Sequence, residues 1–376
     1  MSQRALTGVG IIGGGRWARV LASVLDDVRP DNVEVQAASD HNAASWKDWT
    51  TGRSGWSSAP SASKLLGNPE ISHVIVARKA RDHATTVLDA LSKDKAVLVE
   101  KPFCLTQSSL QQLLLAAEGK YCATGHVLLF AYNQILFRNA CVARGKARKI
   151  MIEWADPAGE FRHGERKTYD ASLNVLQDVF PHIWSISKPF FPGAPITLDG
   201  LSIDGGGRDV QLELSAGDAE MTVKMARDRS KRERLLTVQG DGYTAALDFA
   251  REPGTAQIDN TALDVAEGYS SPLAAELTGF LGGQMPDLAL LENAAEAIRI
   301  SVASMLQIRK LQAKELQCSP EPNSKQRQSA NYALREVSEG GVAADGQVAS
   351  ADTLADWLDI PKSQVTASLA ALISAN

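Results

Sequence analysis

Four cysteines are scattered through 376 residues, and no two of them stand in a C-x-x-C spacing. Cys104, Cys122, Cys141 and Cys318 therefore offer neither a disulfide framework nor a thiolate zinc site, and they read as reduced thiols of a cytoplasmic protein. No metal site is expected. Any apolar run of bilayer-spanning length is also missing. The N-terminus, "MSQRALTGVGII", has neither an apolar core long enough for a signal peptide nor a cleavage site. Excess basic charge is lacking too: the net charge of -5 draws the whole molecule neither to nucleic acid nor to an anionic membrane. The chain is too long for one ordinary core, so two domains and an extension are expected.

What is present begins with alternation. "TGVGII" (7–12) is a short apolar strand, and "GGGRWARVLASVLDD" after it has helical apolar spacing. "VEVQAASD" forms a second strand that ends at Asp40. A helix near residues 62–66, a third strand "SHVIVA", a helix "DHATTVLDALSK" and a fourth strand "AVLVE" follow. The helix "QSSLQQLLLAAEG" and the strand "YCATGHVLLF" complete the series. Such alternation predicts an α/β domain over residues 1–126, a doubly wound parallel sheet with helices on both faces. Beyond it, "KIMIEW", "GLSI", "DVQLELS", "AEMTVKM", "LLTVQG" and "TAALDF" read as strands, several with period-two alternation. They predict an α+β domain over 127–318, an open-faced, mostly antiparallel sheet joined by the helices "SPLAAELTGFLGG" and "ENAAEAIRISVASMLQIRKLQ". Residues 319–347 are polar and rich in small residues, as a linker is, and 348–376 hold two short helical patterns.

Gly13-x-Gly15-x-x-Ala18 lies at the first strand–helix junction. There a first glycine permits the tight turn, a second admits a pyrophosphate, and the helix N-terminus attracts phosphate. Arg16 and Trp17, which open that helix, join the candidate cofactor residues. Asp40 stands where a carboxylate accepts from ribose hydroxyls, or caps the helix in "NAASWKDW". Repulsion of a 2′-phosphate by Asp40 favours NAD over NADP.

Glu100-Lys101-Pro102 closes the fourth strand, and a buried charge there must be paired or used. With the glycine turn, His83 after the third strand and "PLAAELTGFL", this motif resembles the family of glucose–fructose oxidoreductase, inositol dehydrogenase and MocA over roughly residues 7–315. The resemblance implies an NAD(P)-dependent oxidoreductase in which Lys101 lies beside the nicotinamide and binds the reacting oxygen. It also implies an Asp-x-x-x-His acid/base pair, matched by Asp178 and His182 in "LQDVFPHIWSI". Spacing of i, i+4 puts both on one helix face, and histidine titrates near neutrality. The plain alternative makes Asp178 an N-cap, with Pro181 in the helix's first turn. Glu100 orients the loop or pairs with a nearby base, and His83 caps or packs, the resemblance implying a contribution on the cofactor side.

Departures from the family pattern matter. Arg78, Lys79 and Ala80 replace a usual Thr-Pro-Asn, so an anion is a candidate ligand beside the cofactor cleft. Leu173 and Asn174 replace Gly-Gly, and Ser185 replaces a carboxylate, which argues against a simple polyol substrate. "GEFRHGERKTYD" sits where relatives border the substrate. Its Arg162, His163, Arg166, Lys167 and Tyr169 read either as a solvated loop or as recognition of an anionic, nucleotide-linked sugar. "ARDRSKRERL" reads as an exposed basic hairpin. A homo-oligomer through the second sheet is implied, from a strand that sets Met221, Val223 and Met225 opposite threonine and lysine. Two rival readings remain: an imine reductase of the same fold, and a nucleotide-sensing regulator with a helix-turn-helix-like tail. Asp352, Asp356 and Asp359 against Lys362 make that tail a poor phosphate binder.

Overall fold

Gly8–Ile12 (β1) is buried at every position, which suits a strand covered on both faces. A computed structural model describes residues 5–162, 165–166, 173–266, 270–316 and Ser363. In it β1 lies within a parallel sheet of β2 (Glu34–Ala38), β3 (Trp56–Ala59), β4 (His73–Val76), β5 (Ala96–Glu100) and β6 (Cys122–Gly125), in the order β3-β2-β1-β4-β5-β6. The chain direction of build-up reverses between β1 and β4, and ligands of such sheets bind at the carboxyl edge of that switch point. The helices here are α1 (Arg16–Val28), α2 (Ala43–Thr50), α3 (Ala62–Leu66), α4 (His83–Ser92) and α5 (Gln107–Ala117).

One strand is absent from the sequence reading, and one expectation needs correction. "WSSA" carries too little apolar sequence to announce β3, yet it pairs with β2, and its Trp56 indole donates to Asp26 Oδ1 at 2.7 Å. "YCATGHVLLF" stops being a strand at Gly125, and Val127–Phe130 is a single 3-10 turn.

The chain divides into two compact units, one of residues up to Tyr132 with Ser270–Ile298, the other of Asn133–Tyr269 and the chain from Arg299. The division therefore does not coincide with a single cut after residue 126. In the first unit, Leu273, Leu277 and Phe280 of "PLAAELTGFL" share a core with Leu21, Leu25 and Ile75. Phe280 stacks on Tyr121 at 5.7 Å and meets His73 edge-on at 5.4 Å.

The remaining elements are α6 (Tyr132–Arg144), β7 (Ala147–Pro157), β8 (Phe161–Arg162), β9 (Glu165–Arg166), α7 (Val175–Ser187), β10 (Ile196–Asp204), β11 (Asp209–Ala216), β12 (Ala219–Arg229), β13 (Glu233–Gly240), β14 (Tyr243–Asp248), β15 (Thr255–Ile258), β16 (Thr261–Leu263), α8 (Pro272–Leu281) and α9 (Leu291–Leu316). The second unit's sheet runs β10-β11-β12-β7-β13-β14-β15-β16, antiparallel except for β12 against β7. One face is closed by α7, which packs on β7, β11 and β12. Met221, Val223 and Met225 are buried on that closed face, so Glu220, Thr222 and Lys224 point the other way. Among the described residues no helix is long and apolar enough to cross a membrane, and no cluster of side chains could hold a metal ion. The linker 319–347, the tail 348–376 apart from Ser363, and Cys318 lie outside the described residues.

Candidate active site

The glycine turn after β1 is dictated by space. A Cβ on Gly13 would lie 2.1 Å from the Ala77 carbonyl oxygen, and one on Gly14 would lie 2.4 Å from Ser39 Oγ. No other residue type fits either position without moving backbone or neighbour. The carbonyl of Gly13 accepts from the Trp46 indole. Gly15 differs: among the described residues nothing stands within 4 Å of the place its Cβ would take. Gly15 N-caps α1 with no side-chain hydrogen bond, and no acid sits in the first turn with Arg16 and Trp17. A helix start of this kind presents a positive end that favours an anionic group.

Asp40 lies just beyond β2. Its Oδ1 accepts the Ala62 N–H at 2.9 Å, at the start of α3, and its Oδ2 pairs with Arg78 Nη2 at 3.1 Å. It therefore serves α3, while Asn42 occupies the N-cap of α2. Arg78 Nη1 donates to Thr86 Oγ1 at 3.3 Å. His83, the buried first residue of α4, sets Nδ1 2.8 Å from the Pro102 carbonyl and Nε2 3.1 Å from the Arg78 carbonyl. One imidazole thus ties the loop after β4 to the loop after β5.

β5 ends at Glu100, and the Lys101–Pro102 peptide that follows is cis. Lys101 is half-buried. The Glu100 carboxyl is lodged over Gly125 on neighbouring β6, 3.2 Å from where a Cβ would be. Burial pushes it above the ordinary carboxylate range, against the opposing pull of the Trp17 indole and the Lys101 ammonium. The Trp17 N–H reaches toward it without completing a well-formed hydrogen bond. Fully buried Glu276 of α8 lies close enough for the two negative charges to oppose one another, and burial first, then Glu100, raises it well above the usual range.

In the second unit, Asp178 and His182 lie on α7. Asn174 is the cap, accepting the Gln177 N–H at 2.8 Å, so Asp178 is not the N-cap and Pro181 lies inside the helix. Burial of α7 against the sheet outweighs the one helical bond that proline removes. Asp178 Oδ2 pairs with Arg227 Nη2 at 3.2 Å, and Arg227 Nη1 donates to the Leu173 carbonyl at 2.9 Å. His182 stacks on Trp154, with ring centroids 5.5 Å apart and planes 9° from parallel. Ser185 Oγ donates to the His182 carbonyl at 2.7 Å. Leu173, Asn174 and Ser185, the departures from the family pattern, all shape α7 and its approach.

The basic segment 226–235 is not an exposed hairpin. β12 and β13 flank β7 on opposite sides, so the connection between them crosses the end of that strand. Arg227 and Arg234 turn inward and are buried. Arg234 pairs with buried Asp156, donates to the Ala155 carbonyl at 2.7 Å, and lies 3.6 Å from the Trp154 ring centroid. Burial pulls its guanidinium down to about 10, with Asp156 opposing, so it stays charged at neutral pH. Period two was the overlooked signal: Arg227 shares parity with Met225 and Val223, as Arg234 does with Leu236 and Val238. Arg162 and Arg166 fall on the short β8–β9 ladder. His163, Lys167 and Tyr169 lie outside the described residues.

A Rossmann sheet with an open glycine turn at its switch point defines a dinucleotide-binding unit. Residues 7–126 match the model described as the oxidoreductase family with an NAD-binding Rossmann fold, the glucose–fructose oxidoreductase, inositol dehydrogenase and MocA family. The family's nicotinamide cofactor is NAD or NADP. A comparison with curated proteins by sequence finds no match. Similar solved structures include a UDP-N-acetylglucosamine 3-dehydrogenase from Acidithiobacillus ferrooxidans, at 18% identity over 79% of this chain and 95% of that one, with a TM-score of 0.62. A 3-ketoreductase from Actinomadura kijaniata in complex with NADP is 18% identical over 79% and 96%, with a TM-score of 0.64. A biliverdin reductase from Synechocystis sp. PCC 6803, in complex with biliverdin and NADP+, is 18% identical over 81% and 99%, with a TM-score of 0.61. At these identities the likeness is one of fold.

Proposed function

We propose that the protein interconverts a hydroxyl and a carbonyl on a sugar-like, anionic substrate, with Lys101 and His182 handling the oxygen and its proton. The observation that carries this reading is the lysine at the end of β5, on the same sheet edge as the open glycine turn. The residues fit a dinucleotide: the uncapped start of α1 and the space beside Gly15 suit a pyrophosphate, and Asp40 with Arg78 suit the adenosine ribose. When bound, the nicotinamide supplies or accepts the hydride.

The chain's own part is proton and charge handling. Oxidation of a carbinol needs the hydroxyl proton removed as the C–H bond breaks, and reduction needs it returned. His182 takes and gives that proton, held by its stacking on Trp154. Asp178, fixed by Arg227, is the carboxylate that steadies the imidazole. The Lys101 ammonium donates to the oxygen and stabilises its developing negative charge. An anionic group on the substrate is supported by the basic segment that carries Arg162 and Arg166 and precedes α7 in the chain. In this reading the enzyme works as a homo-oligomer through the open face of its second sheet.

The test is a panel of nucleotide-linked and acidic sugars, followed by nicotinamide absorbance. With a confirmed substrate, Lys101→Ala lowers kcat by about 10²–10³, the usual loss of one donor to an oxyanion, and leaves cofactor affinity within a few-fold. His182→Asn lowers kcat and removes a pH dependence near neutrality. Near-normal kcat in the lysine variant would sink the assignment.

A further inference from the structure

The carboxylate placed to read a ribose carries its own counter-ion. Asp40 uses both oxygens within the protein, Oδ1 on the Ala62 N–H at 2.9 Å and Oδ2 on Arg78 Nη2 at 3.1 Å. Arg78 is positioned three times over: by Asp40, by Thr86 Oγ1, and through its carbonyl by His83. The pair is nevertheless reachable, with 20% of the Arg78 side chain and 35% of that of Asp40 exposed. A lone carboxylate at this corner repels a phosphate. A carboxylate already neutralised by a guanidinium does not, and the guanidinium is itself a good phosphate donor.

We propose that Arg78 sets coenzyme choice, making the adenosine-ribose corner accept NADP(H) as well as NAD(H). With a 2′-hydroxyl bound, Asp40 accepts from the ribose and keeps Arg78 as its counter-ion. With a 2′-phosphate bound, Arg78 transfers donors to the phosphate oxygens, and Asp40 stays anchored on α3 through Ala62. No bond is made or broken. The preference for NAD that Asp40 alone implies is removed by the arginine after β4. This inference rests on the reading of the glycine turn as a nicotinamide-cofactor site, and it concerns only which coenzyme enters.

The experiment titrates the full chain with NADH and with NADPH, following reduced-nicotinamide fluorescence, for the native protein and for Arg78→Gln and Asp40→Asn. The two native dissociation constants should lie within about tenfold of one another. Arg78→Gln should weaken NADPH by roughly 10- to 100-fold, the worth of a charge-assisted hydrogen bond, while NADH stays within about threefold. Asp40→Asn should shift the ratio toward NADPH. If Arg78→Gln weakens both coenzymes together, the Asp40→Asn ratio decides, and an unchanged ratio overturns the inference. NADPH binding that is over 100-fold weaker than NADH in the native protein, or that ignores Arg78→Gln, overturns it while leaving the cofactor reading intact. Binding of neither coenzyme removes that reading and this inference together.

Discussion

Glu276 is wholly buried, and among the described residues neither of its carboxyl oxygens has a hydrogen-bond partner. A carboxylate in that position is held against desolvation and against the charge of Glu100, so the protonated form is favoured in the fold. The sign of the linkage follows. Between the ordinary carboxylate pKa, about 4.3, and the raised folded value, the native state binds more protons than the unfolded chain. Stability from this group is therefore greatest in acid and falls as pH rises through that window. Glu276→Gln keeps the shape without the titration, so its stability should decline less from about pH 5 upward. Urea midpoints of both proteins across that range are the measurement, and parallel slopes would show that another group is responsible.

At the level of elements, the crossing of β12 to β13 over the end of β7 decides more than any one motif. It turns a basic run into two inward arginines, each matched to a carboxylate: Arg227 with Asp178 of α7, and Arg234 with Asp156 of β7. The Asp156–Arg234 pair is closed from water, with both side chains 2% exposed. Removing one partner of such a pair leaves a buried charge unpaired and costs about 3–5 kcal/mol, whereas replacing both by apolar groups is often neutral. Asp156→Leu should therefore destabilise strongly, and Asp156→Leu combined with Arg234→Met should recover most of the loss in denaturant midpoint. Equal destabilisation of the single and double variants would show that the geometry of the pair matters, not its charge balance.

For the whole molecule, the open face of the second sheet is the surface to account for. Half-buried Met151 and Leu235 lie on it among paired charges, with Lys224 Nζ 3.1 Å from Glu153 and Thr222 Oγ1 donating to Glu213 at 2.7 Å. The methionines and valine of β12 do not contribute, because α7 already covers them. A mixed face of this kind suits a partner that is a second copy, at the scale of about 800 Å² per subunit typical of stable interfaces. Light scattering at working concentration should return a multiple of the 40.3 kDa chain mass. A mass of one chain would refute the assembly.

The amino-acid sequence determined the strand–helix repeats of residues 7–126 almost alone, whereas α8 joins that unit only through long-range packing. Buried strands such as "AVLVE", the Gly13–Gly15 turn and the helical spacing of "RWARVLASVLDD" are local patterns, and local patterns specify βαβ units. The same holds for Lys101 at its strand end and for Asp178 and His182 one helical turn apart. Tertiary structure decided what depends on long-range pairing. Only sheet order shows that β12 and β13 flank β7, and only packing shows that Arg234 belongs to Asp156, 78 residues earlier. Strand β3 exists because β2 offers an edge, not because "WSSA" demands it. Asp40 reads from sequence as a candidate ribose carboxylate, but its counter-ion does not, since Arg78 meets it only when β4 lies beside β1. Charges separated by 38 residues have no local pattern to announce them; the fold brings them to 3.1 Å.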